Sequence, residues 1–453
     1  MAGGGRSAAL SRQRRIARLV AMSDVDVAIV GGGIGGLTTA YRLPGLQVAV
    51  LERAEAVGGR ARMAAIAGEL APRGAVFTYR DTPNEALCGE LGISLLPVVP
   101  ETYSCFFRGR TVIARSDDEL VDGLPVGPEA KRELTTVLAR MRSDYESYEE
   151  TGHDGATELS RTSFADTLAG LTDEARELFA ALTFAHTMAR PDEVSATYAL
   201  RYLASYVFRD TAHRAYTPNG LEEIPRRLAD RLGSAVHLGT HVETVARSGD
   251  GYVLHTVSGG TSETLTARRV VMAVPGPEVE QIVLGLPQWK RDAIARVPTD
   301  ASVILNAVIE ATPGAAWRDV FYMATIGTEF DYILNPRVGP AFDADGPVIF
   351  QIGAWKQRAQ AAFPSTDAQI TRAWLADLER ILPGIGARVA GTELTRWPHC
   401  FAMPRPDREE RLPKAEEPVD GLHFVGDYAS TTAGSHGVIA SAERAAAEIR
   451  SSF

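Results

Sequence analysis

The chain has 453 residues and a formal net charge of −10 at pH 7, with 45% hydrophobic and 23% charged residues. This composition is that of a folded protein with a large core, which excludes a disordered chain and a small disulfide-stapled scaffold. An acidic chain repels phosphate backbones, so we expect no nucleic-acid partner.

The first residues of the chain and its cysteines predict where in the cell the protein is located. Residues 1–22 are basic but lack the apolar stretch of an export signal, so we expect a disordered extension, with Met22 as an alternative start. Cys88, Cys105 and Cys400 show no metal-ligand spacing, which predicts no metal site and a cytoplasmic location. No apolar run approaches the ~20 residues of a membrane span.

The first predicted element is a buried strand over 26–30, followed by a glycine-rich loop and a helix. In the loop, Gly31 is expected to allow a tight turn, Gly33 to let the backbone approach a pyrophosphate, and Gly36 to let helix and strand pack closely. Gly35 lies in the same loop. The free N–H groups at the start of the helix would face the phosphates, so this motif predicts a dinucleotide site.

A second strand over 47–51 ends at Glu52, followed by Arg53. An acidic residue about 20 positions after the glycines accepts hydrogen bonds from ribose hydroxyls in such sites. A further glycine pair ends at Gly59 and precedes Arg60, which is able to pair with a phosphate. This extra segment suits a longer ligand and favours FAD over NAD.

These stretches, VAIVGGGIGGLTTAYRL and VAVLERAEAVGGRAR, resemble the flavin-containing amine oxidase superfamily. It includes monoamine and polyamine oxidases, L-amino acid oxidases, protoporphyrinogen oxidase and phytoene desaturases. The resemblance implies an FAD cofactor and an α/β fold. A Rossmann-type FAD-binding domain would comprise 23–85, 216–285 and 395–453. An inserted α+β substrate domain would comprise 86–215 and 286–394, with a six-stranded sheet.

Four later stretches extend the resemblance: RGAVF, YTPNGL with HVETVAR, ARRVVMAVP, and LHFVGDYASTTAGSHGVIASAERAAAEI. The turn beside the flavin ring would hold Arg73, Gly74 and Ala75, and Val242 would contact adenine through its backbone. Asp427, after Gly426, would bind the ribityl–phosphate region. The N-terminus of the last helix would point at flavin N1 and O2, and it contains Gly434, His436, Gly437 and Val438.

The reactive end departs from the family's oxidases. Aligning ASVILNAV with their first substrate-domain strand places Leu305 where they carry a lysine near flavin N5. Of the two aromatic cage positions, one holds Phe401 and the other holds Ser435. Cys400 occupies a position at which some monoamine oxidases bond the flavin covalently, and we expect non-covalent binding here.

The candidate catalytic residues are His436, Phe401, Arg337 and Glu69. His436 would be a positive partner for the flavin, Arg337 would pair with a substrate carboxylate, and Glu69 would act as a base. The alternatives are a structural role in the turn for His436, a solvated loop position for Arg337 and a surface hydrogen-bonding role for Glu69.

The sequence therefore predicts an FAD-dependent oxidoreductase acting on a small molecule. The leading hypothesis is oxidation of a C–N bond in an amine, amino acid or amide of specialised metabolism. The alternatives are C–C desaturation of a carotenoid-like or porphyrinogen-like substrate, and a flavin-binding protein without turnover. Substrate identity, the choice between oxidase and dehydrogenase, and a homodimer stay open.

Overall fold

The computed structural model describes residues 20–21, 24–150, 158–207, 213–402, 405–430, 432 and 434–453. The strands are β1 (Val20–Ala21), β2 (Val25–Val30), β3 (Val48–Leu51), β4 (Met63–Ile66), β5 (Glu69–Pro72), β6 (Thr78–Tyr79), β7 (Leu96–Pro97), β8 (Tyr103–Phe107), β9 (Arg110–Ala114), β10 (Arg214–Tyr216), β11 (Val236–His237), β12 (Thr240–Ser248), β13 (Gly251–Ser258), β14 (Thr261–Met272), β15 (Thr299–Ile309), β16 (Tyr322–Thr325), β17 (Tyr332–Leu334), β18 (Val348–Trp355), β19 (Val389–Ala402) and β20 (Leu422–Phe424).

The helices are α1 (Ile34–Tyr41), α2 (Pro83–Leu91), α3 (Asp117–Gly123), α4 (Pro128–Glu150), α5 (Glu158–Arg161), α6 (Phe164–Thr167), α7 (Asp173–Thr187), α8 (Ala196–Val207), α9 (Glu223–Leu232), α10 (Gly276–Ile282), α11 (Gln288–Ala295), α12 (Lys356–Ala362), α13 (Asp367–Ile381), α14 (Arg408–Glu416) and α15 (Ser435–Ser451).

The first sheet has eight strands, in the order β11-β3-β2-β14-β13-β12, with β1 and β20 also paired to β14. Strands β11, β3, β2, β14 and β20 run parallel, whereas β12, β13 and β14 form an antiparallel meander. Helices α1, α9 and α15 cover one face of the parallel part. Because both faces are covered, its central strands are apolar runs, as the sequence predicted for β2.

The second sheet has seven strands, in the order β19-β15-β18-β17-β16-β8-β9, where the resemblance implied six. Its strand neighbours are antiparallel except β16 with β8. Helices α12 and α13 cover one face with an apolar core. Helices α4, α7 and α8 pack on the other face, where aromatic side chains of β16, β17 and β18 lie.

The two sheets draw on alternating pieces of the chain. Strand β19, however, stays in the seven-stranded sheet as far as Ala402, beyond the predicted boundary at residue 395. The domain limits themselves stay a prediction. Of the predicted extension over 1–22, residues 1–19 and Met22 lie outside the described residues, and Val20–Ala21 form a strand rather than a disordered segment.

The part of the chain that the structure describes contains no helix that is both long enough and apolar enough to cross a membrane. In the same residues, no group of three or more His, Cys, Asp or Glu side chains is arranged to hold a metal ion.

The contact of α1 with β2 depends on Gly36. A Cβ atom at Gly36 would lie 2.0 Å from the Gly31 carbonyl oxygen and 3.2 Å from the Ala273 Cβ. We therefore expect Gly36→Ala to lower the free energy of unfolding by about 1–3 kcal/mol, because overpacking forces backbone shifts. Denaturant titration measures this change.

Gly89→Ala is the matched control, since Gly89 is an exposed residue of α2 whose Cβ would meet no atom within 4 Å. The same substitution should stabilise that helix by up to about 1 kcal/mol. Equal effects of the two substitutions would contradict the packing role of Gly36.

Candidate functional site

The predicted dinucleotide loop forms an open backbone cradle. Gly31 has a φ of +113° and packs against the backbone of Ala273. Gly33 precedes the first residue of α1, and a Cβ there would meet no atom within 4 Å. The one neighbour of a Cβ at Gly59 would be the Gly33 Cα, 3.8 Å away. The two glycines therefore border free space in front of a helix N-terminus, which suits a pyrophosphate.

Glu52 lies at the end of β3, beside this cradle. Its carboxylate accepts hydrogen bonds from the Gly32 N–H at 2.7 Å and from the Ala54 N–H at 2.8 Å. The neighbouring Arg53 is exposed and pairs with Glu278 of α10 at 3.1 Å. The orientation of Glu52 is therefore fixed by the loop and not by Arg53.

The last segment of the chain packs against α1 through small residues. A Cβ on Gly35 would lie 2.9 Å from the side chains of Val425 and Val438. Gly426 and Gly434 have φ values of +144° and +109°, which favour glycine. At Gly437 a Cβ would lie 1.8 Å from the Thr432 carbonyl oxygen, so the first turn of α15 requires glycine there. Val242, the predicted adenine contact, is buried in β12 beside a bulge.

Arg60 and Asp427 pair with each other. The Arg60 Nη1 donates to Asp427 Oδ2 at 2.7 Å and to the Cys400 carbonyl at 2.6 Å. Asp427 Oδ2 also accepts from the Ala402 N–H at 3.1 Å. Burial by itself raises the pKa of Asp427, but the Arg60 charge outweighs it and the pKa is lowered. The carboxylate is therefore ionised, and Arg60 is oriented by a side chain where the sequence predicted a phosphate.

The predicted flavin-side turn is held by side chains of the seven-stranded sheet. Asn306 Nδ2 donates to the Pro72 carbonyl at 2.9 Å. Gln351 Nε2 donates to the carbonyls of Pro72 and Gly74, at 3.0 Å each. The Trp397 Nε1 donates to the Arg73 carbonyl at 2.7 Å. Three consecutive carbonyl groups are thus fixed by three strands, an arrangement that we call the carbonyl clamp.

The other side of this turn rests on the backbone of Arg60. The Ala75 N–H donates to the Arg60 carbonyl at 2.9 Å. A Cβ on Gly74 would lie 2.4 Å from the same oxygen, so the close approach requires glycine. The Arg73 side chain pairs with Glu393 of β19 at 3.1 Å.

Asn306 and Gln351 were missed in the sequence analysis. They are cross-strand neighbours in β15 and β18, and both are buried. Each is the single polar side chain inside an apolar run, VILNAVI and VIFQIGA. A polar residue in the middle of a buried strand requires hydrogen-bond partners, and that signal would have identified both.

Leu305, which the sequence placed near flavin N5, does not face the predicted flavin-side turn. Leu305 is fully buried in the apolar core beneath α13, together with Trp374 and Leu378. Because side chains alternate along a strand, the next residue, Asn306, points to the opposite face and bonds to Pro72. Asn306 is therefore the side chain that β15 directs at the predicted flavin-side turn.

The two predicted cage positions differ in orientation. Phe401 is partly exposed and packs against the cluster of aromatic residues on the seven-stranded sheet. In that cluster Tyr332 stacks between Tyr322 and Trp355, at 5.5 and 4.8 Å between ring centroids. Ser435 is buried, and its Oγ accepts a hydrogen bond from Asn84 at 2.8 Å. Of the two predicted cage residues, Phe401 is thus the one that lies against the aromatic cluster.

His436 lies in the first turn of α15 and is 9% exposed. Neither ring nitrogen has a hydrogen-bond partner among the described residues, and the ring centroid lies 4.4 Å from that of Tyr79. Burial, together with the positive charges of Arg201 and Arg214, lowers the pKa of His436 to about 3. The imidazole is neutral at pH 7, so it lacks the positive charge that was expected there.

Two further candidate catalytic residues, Glu69 and Arg337, have their charges paired in the structure. Glu69 and Arg337 form an ion pair with each other, and Arg337 Nη2 donates to the Leu70 carbonyl at 3.1 Å. Both charges are therefore engaged at the edge of the β4–β5 hairpin, and their predicted catalytic roles stay predictions. Burial raises the pKa of the Cys400 thiol to about 11, so this thiol is protonated at neutral pH.

Comparison with known proteins shows which family the chain resembles. A family model described as flavin containing amine oxidoreductase matches residues 34–450. A protein of Mycobacterium tuberculosis named putative flavin-containing monoamine oxidase is 30% identical over 280 residues, which are 55% of this chain and 57% of that protein. The chain thus spans less than two thirds of the mycobacterial protein. Polyamine oxidase 1 of Oryza sativa subsp. japonica is 26% identical over 450 residues, with 91% of this chain and 85% of that protein covered.

Solved structures share the fold. A putrescine oxidase double mutant superposes with a TM-score of 0.74 at 22% identity, covering 94% of this chain and 99% of that one. Cyclohexylamine oxidase from Brevibacterium oxydans gives 0.73 at 23% identity, with 95% and 99% covered. A putative protoporphyrinogen oxidase from Exiguobacterium gives 0.74 at 17% identity, with 95% and 100% covered. At these identities the likeness shows the fold alone.

The aromatic cluster contains a buried histidine that makes stability depend on pH. The His186 ring lies 4.4 Å from that of Tyr322 in a tilted arrangement, and its Nδ1 is hydrogen-bonded to the Leu182 carbonyl. Burial, helped by the charge of Arg214, lowers its pKa to about 3 from an ordinary 6.5. Below pH 6.5 the unfolded chain therefore binds this proton first, and the folded state loses stability as the pH falls.

We expect His186→Phe to remove this dependence while keeping a ring against Tyr322. Relative to the variant, the wild type should lose about 1.4 kcal/mol of stability between pH 7.5 and pH 5.5. Urea unfolding of both proteins at pH 7.5, 6.5 and 5.5 measures the difference. A difference that stays constant over this range would show that His186 is not buried in its neutral form.

Proposed function

Because the chain belongs to the flavin containing amine oxidoreductase family, we propose that it oxidises a carbon–nitrogen bond of an amine, amino acid or amide of specialised metabolism. The observation that carries this proposal is the extent of the family match, which runs from the dinucleotide loop to the last helix. The relatives' names agree, since they include a putative monoamine oxidase and a polyamine oxidase.

The cofactor of this family is FAD, and the chain's residues fit it. The free space in front of Gly33 and Gly59 admits a pyrophosphate, and the start of α1 offers N–H groups to it. We assign the ribose contact to Glu52, the adenine contact to Val242, and the ring-side contacts to the turn at Gly74. When bound, FAD supplies the acceptor of the two electrons that leave the substrate.

In this proposal, residues of the chain also hold the ring-side turn rigid and orient the substrate. The carbonyl clamp keeps the backbone of Arg73 and Gly74 in place, so that the ring-side surface is rigid before substrate arrives. The aromatic cluster around Tyr332 and Trp355 offers an apolar wall that orients the substrate next to Phe401 and excludes water.

The decisive experiment is anaerobic mixing of the purified holoenzyme with a panel of amines, amino acids and amides. Bleaching of the flavin absorbance by at least one of them supports oxidation of a C–N bond, and peroxide formed after admission of air would identify an oxidase. Bleaching by a carotenoid-like or porphyrinogen-like compound alone would support the desaturase alternative. No bleaching by any compound would favour a binding protein without turnover.

We expect Gly33→Ala to abolish tight FAD binding without unfolding the protein. The Gly33 backbone has a φ of −79°, which alanine adopts, and the added Cβ enters the space assigned to the pyrophosphate. The measurements are the flavin-to-protein absorbance ratio and the unfolding midpoint of the apoprotein. A variant that retains its FAD would refute the assignment of this cradle.

We expect acid precipitation to release the flavin into the supernatant. A thioether to Cys400 would require thiol chemistry at a residue whose pKa is raised to about 11 by burial. Absorbance of the supernatant and the pellet measures the release. Flavin that stays in the pellet, and is released from Cys400→Ser, would demonstrate a covalent bond.

A further inference from the structure

The stacked rings of the aromatic cluster end at Trp355, the last residue of β18. Its ring stacks on that of Tyr332 at an interplanar angle of 15°, and its Nε1 donates to the Ala185 carbonyl at 3.3 Å. Side chains alternate between the faces of a sheet, so Trp355 shares a face with Gln351 of the carbonyl clamp. The position of this ring therefore shapes the space in front of the predicted flavin-side turn.

The ring of Tyr332 is fixed within the sheet. A Cβ on Gly353 would lie 2.0 Å from that ring, so glycine is required for the ring to lie across β18. The Tyr332 hydroxyl donates to Gln351 Oε1 at 3.0 Å, which ties the ring to the clamp. Trp355 instead lies where β18 ends and α12 begins, so its position depends on how the two elements are joined.

Asp331, the residue before β17, holds the backbone of Trp355. The Asp331 N–H donates to the Gly353 carbonyl at 2.8 Å, and its side-chain Oδ2 accepts from the Trp355 N–H at 2.8 Å. The carboxylate thus extends the pairing of β17 with β18 by one hydrogen bond. Both residues are buried, and a buried N–H requires such an acceptor.

The backbone next to Trp355 is strained. Lys356, the first residue of α12, has a φ of +46°, which residues other than glycine rarely adopt. Such a conformation persists only where the surrounding contacts hold it. Lys356 Nζ pairs with Glu193 at 2.6 Å and lies 3.6 Å from Asp300, while Asp331 holds the preceding residue. Releasing the Asp331 contact would let this link relax and move the Trp355 ring.

One cation faces the Asp331 carboxylate. The Arg358 Nη1, on α12, lies 3.3 Å from Asp331 Oδ1, and within the described residues Arg358 is the charged group that acts on it. Burial outweighs this charge and raises the pKa of Asp331 to about 6. A protonated carboxyl group has one acceptor oxygen fewer, so it gives up either the Trp355 N–H or Arg358. Both belong to the start of α12, and protonation therefore loosens that attachment.

We propose that Asp331 is a positioning residue for the substrate: its ionised carboxylate holds Trp355 in the aromatic cluster, and acidification releases this ring and lowers substrate affinity. The proposal rests on the proposed oxidation of a C–N bond, in which the cluster orients the substrate. Asp331 acts through Trp355 and takes no part in the electron transfer.

Fluorine NMR of the holoenzyme labelled with 5-fluorotryptophan tests the position of Trp355 without a substrate. The chain has five tryptophans, and Trp355→Phe identifies the resonance of this one. We expect that resonance to shift between pH 8 and pH 5, with a midpoint at about 6. In Asp331→Asn it should not shift, because the amide does not titrate and still offers an oxygen to the Trp355 N–H.

Asp117→Asn is the matched control, since Asp117 of α3 also pairs with an arginine, Arg142, at 2.8 Å. It should leave the Trp355 titration as in wild type. His186, whose pKa of about 3 lies below this range, should not contribute. A Trp355 resonance that is independent of pH in wild type would overturn the proposal even without the variant. An equal shift in Asp331→Asn would also overturn it, because another group would then be responsible.

Anaerobic flavin reduction tests the effect on affinity. The probe is benzylamine, phenylalanine or phenylacetamide, whichever bleaches the flavin at the lowest concentration. The ratio of its dissociation constants for wild type and Asp331→Asn cancels the titration of the probe itself. We expect this ratio to rise about tenfold from pH 7.5 to pH 5.0, since only protein with an ionised Asp331 would bind well. The reduction rate at saturation should stay equal in the two proteins.

The two measurements separate this proposal from the broader one. A constant ratio with a probe that reduces the flavin would overturn the role of Asp331 and leave the oxidation of a C–N bond standing. If none of the three probes and no other C–N compound bleaches the flavin, that oxidation fails. The fluorine titration then still decides whether Asp331 holds Trp355.

Discussion

A buried ion pair joins parts of the chain that are far apart in sequence. Arg60 follows the second glycine pair, Asp427 follows β20, and both contact the end of β19 at Cys400 and Ala402. The Asp427 side chain is 4% exposed, and removing one partner of a buried pair typically costs about 3–5 kcal/mol. The eight-stranded sheet, the end of the seven-stranded sheet and the approach to the last helix are therefore aligned at one point.

The carbonyl clamp depends on that alignment. The turn from Pro72 to Ala75 lies on the backbone of Arg60, which the ion pair fixes, and side chains of the seven-stranded sheet hold its other edge. The turn is thus bonded on both sides, and a short loop without regular structure becomes rigid. Rigidity at this place matters because the family's cofactor ring would rest against it.

The sequence by itself determined the features that depend on local chain geometry. The glycine spacing, the apolar β2 and β3 and the acidic residue at the end of β3 predicted the dinucleotide loop, because each requirement concerns a residue and its immediate neighbours. The resemblance of these stretches to the flavin-containing amine oxidase superfamily implied an α/β fold, and the family match agrees with that resemblance.

Tertiary structure alone decided which side chains meet. Leu305 and Asn306 are adjacent, and only the packing of β15 between α13 and the Pro72 turn shows which of them faces the site. Arg337 and Glu69 are separated by more than 250 residues, and nothing local predicts that each neutralises the other. The same holds for the neutral state of His436, because its pKa depends on burial and on charges that other elements bring near it. Local sequence restricts the conformation of the backbone. Residues distant along the chain set the charge, orientation and hydrogen bonding of the side chains at the site.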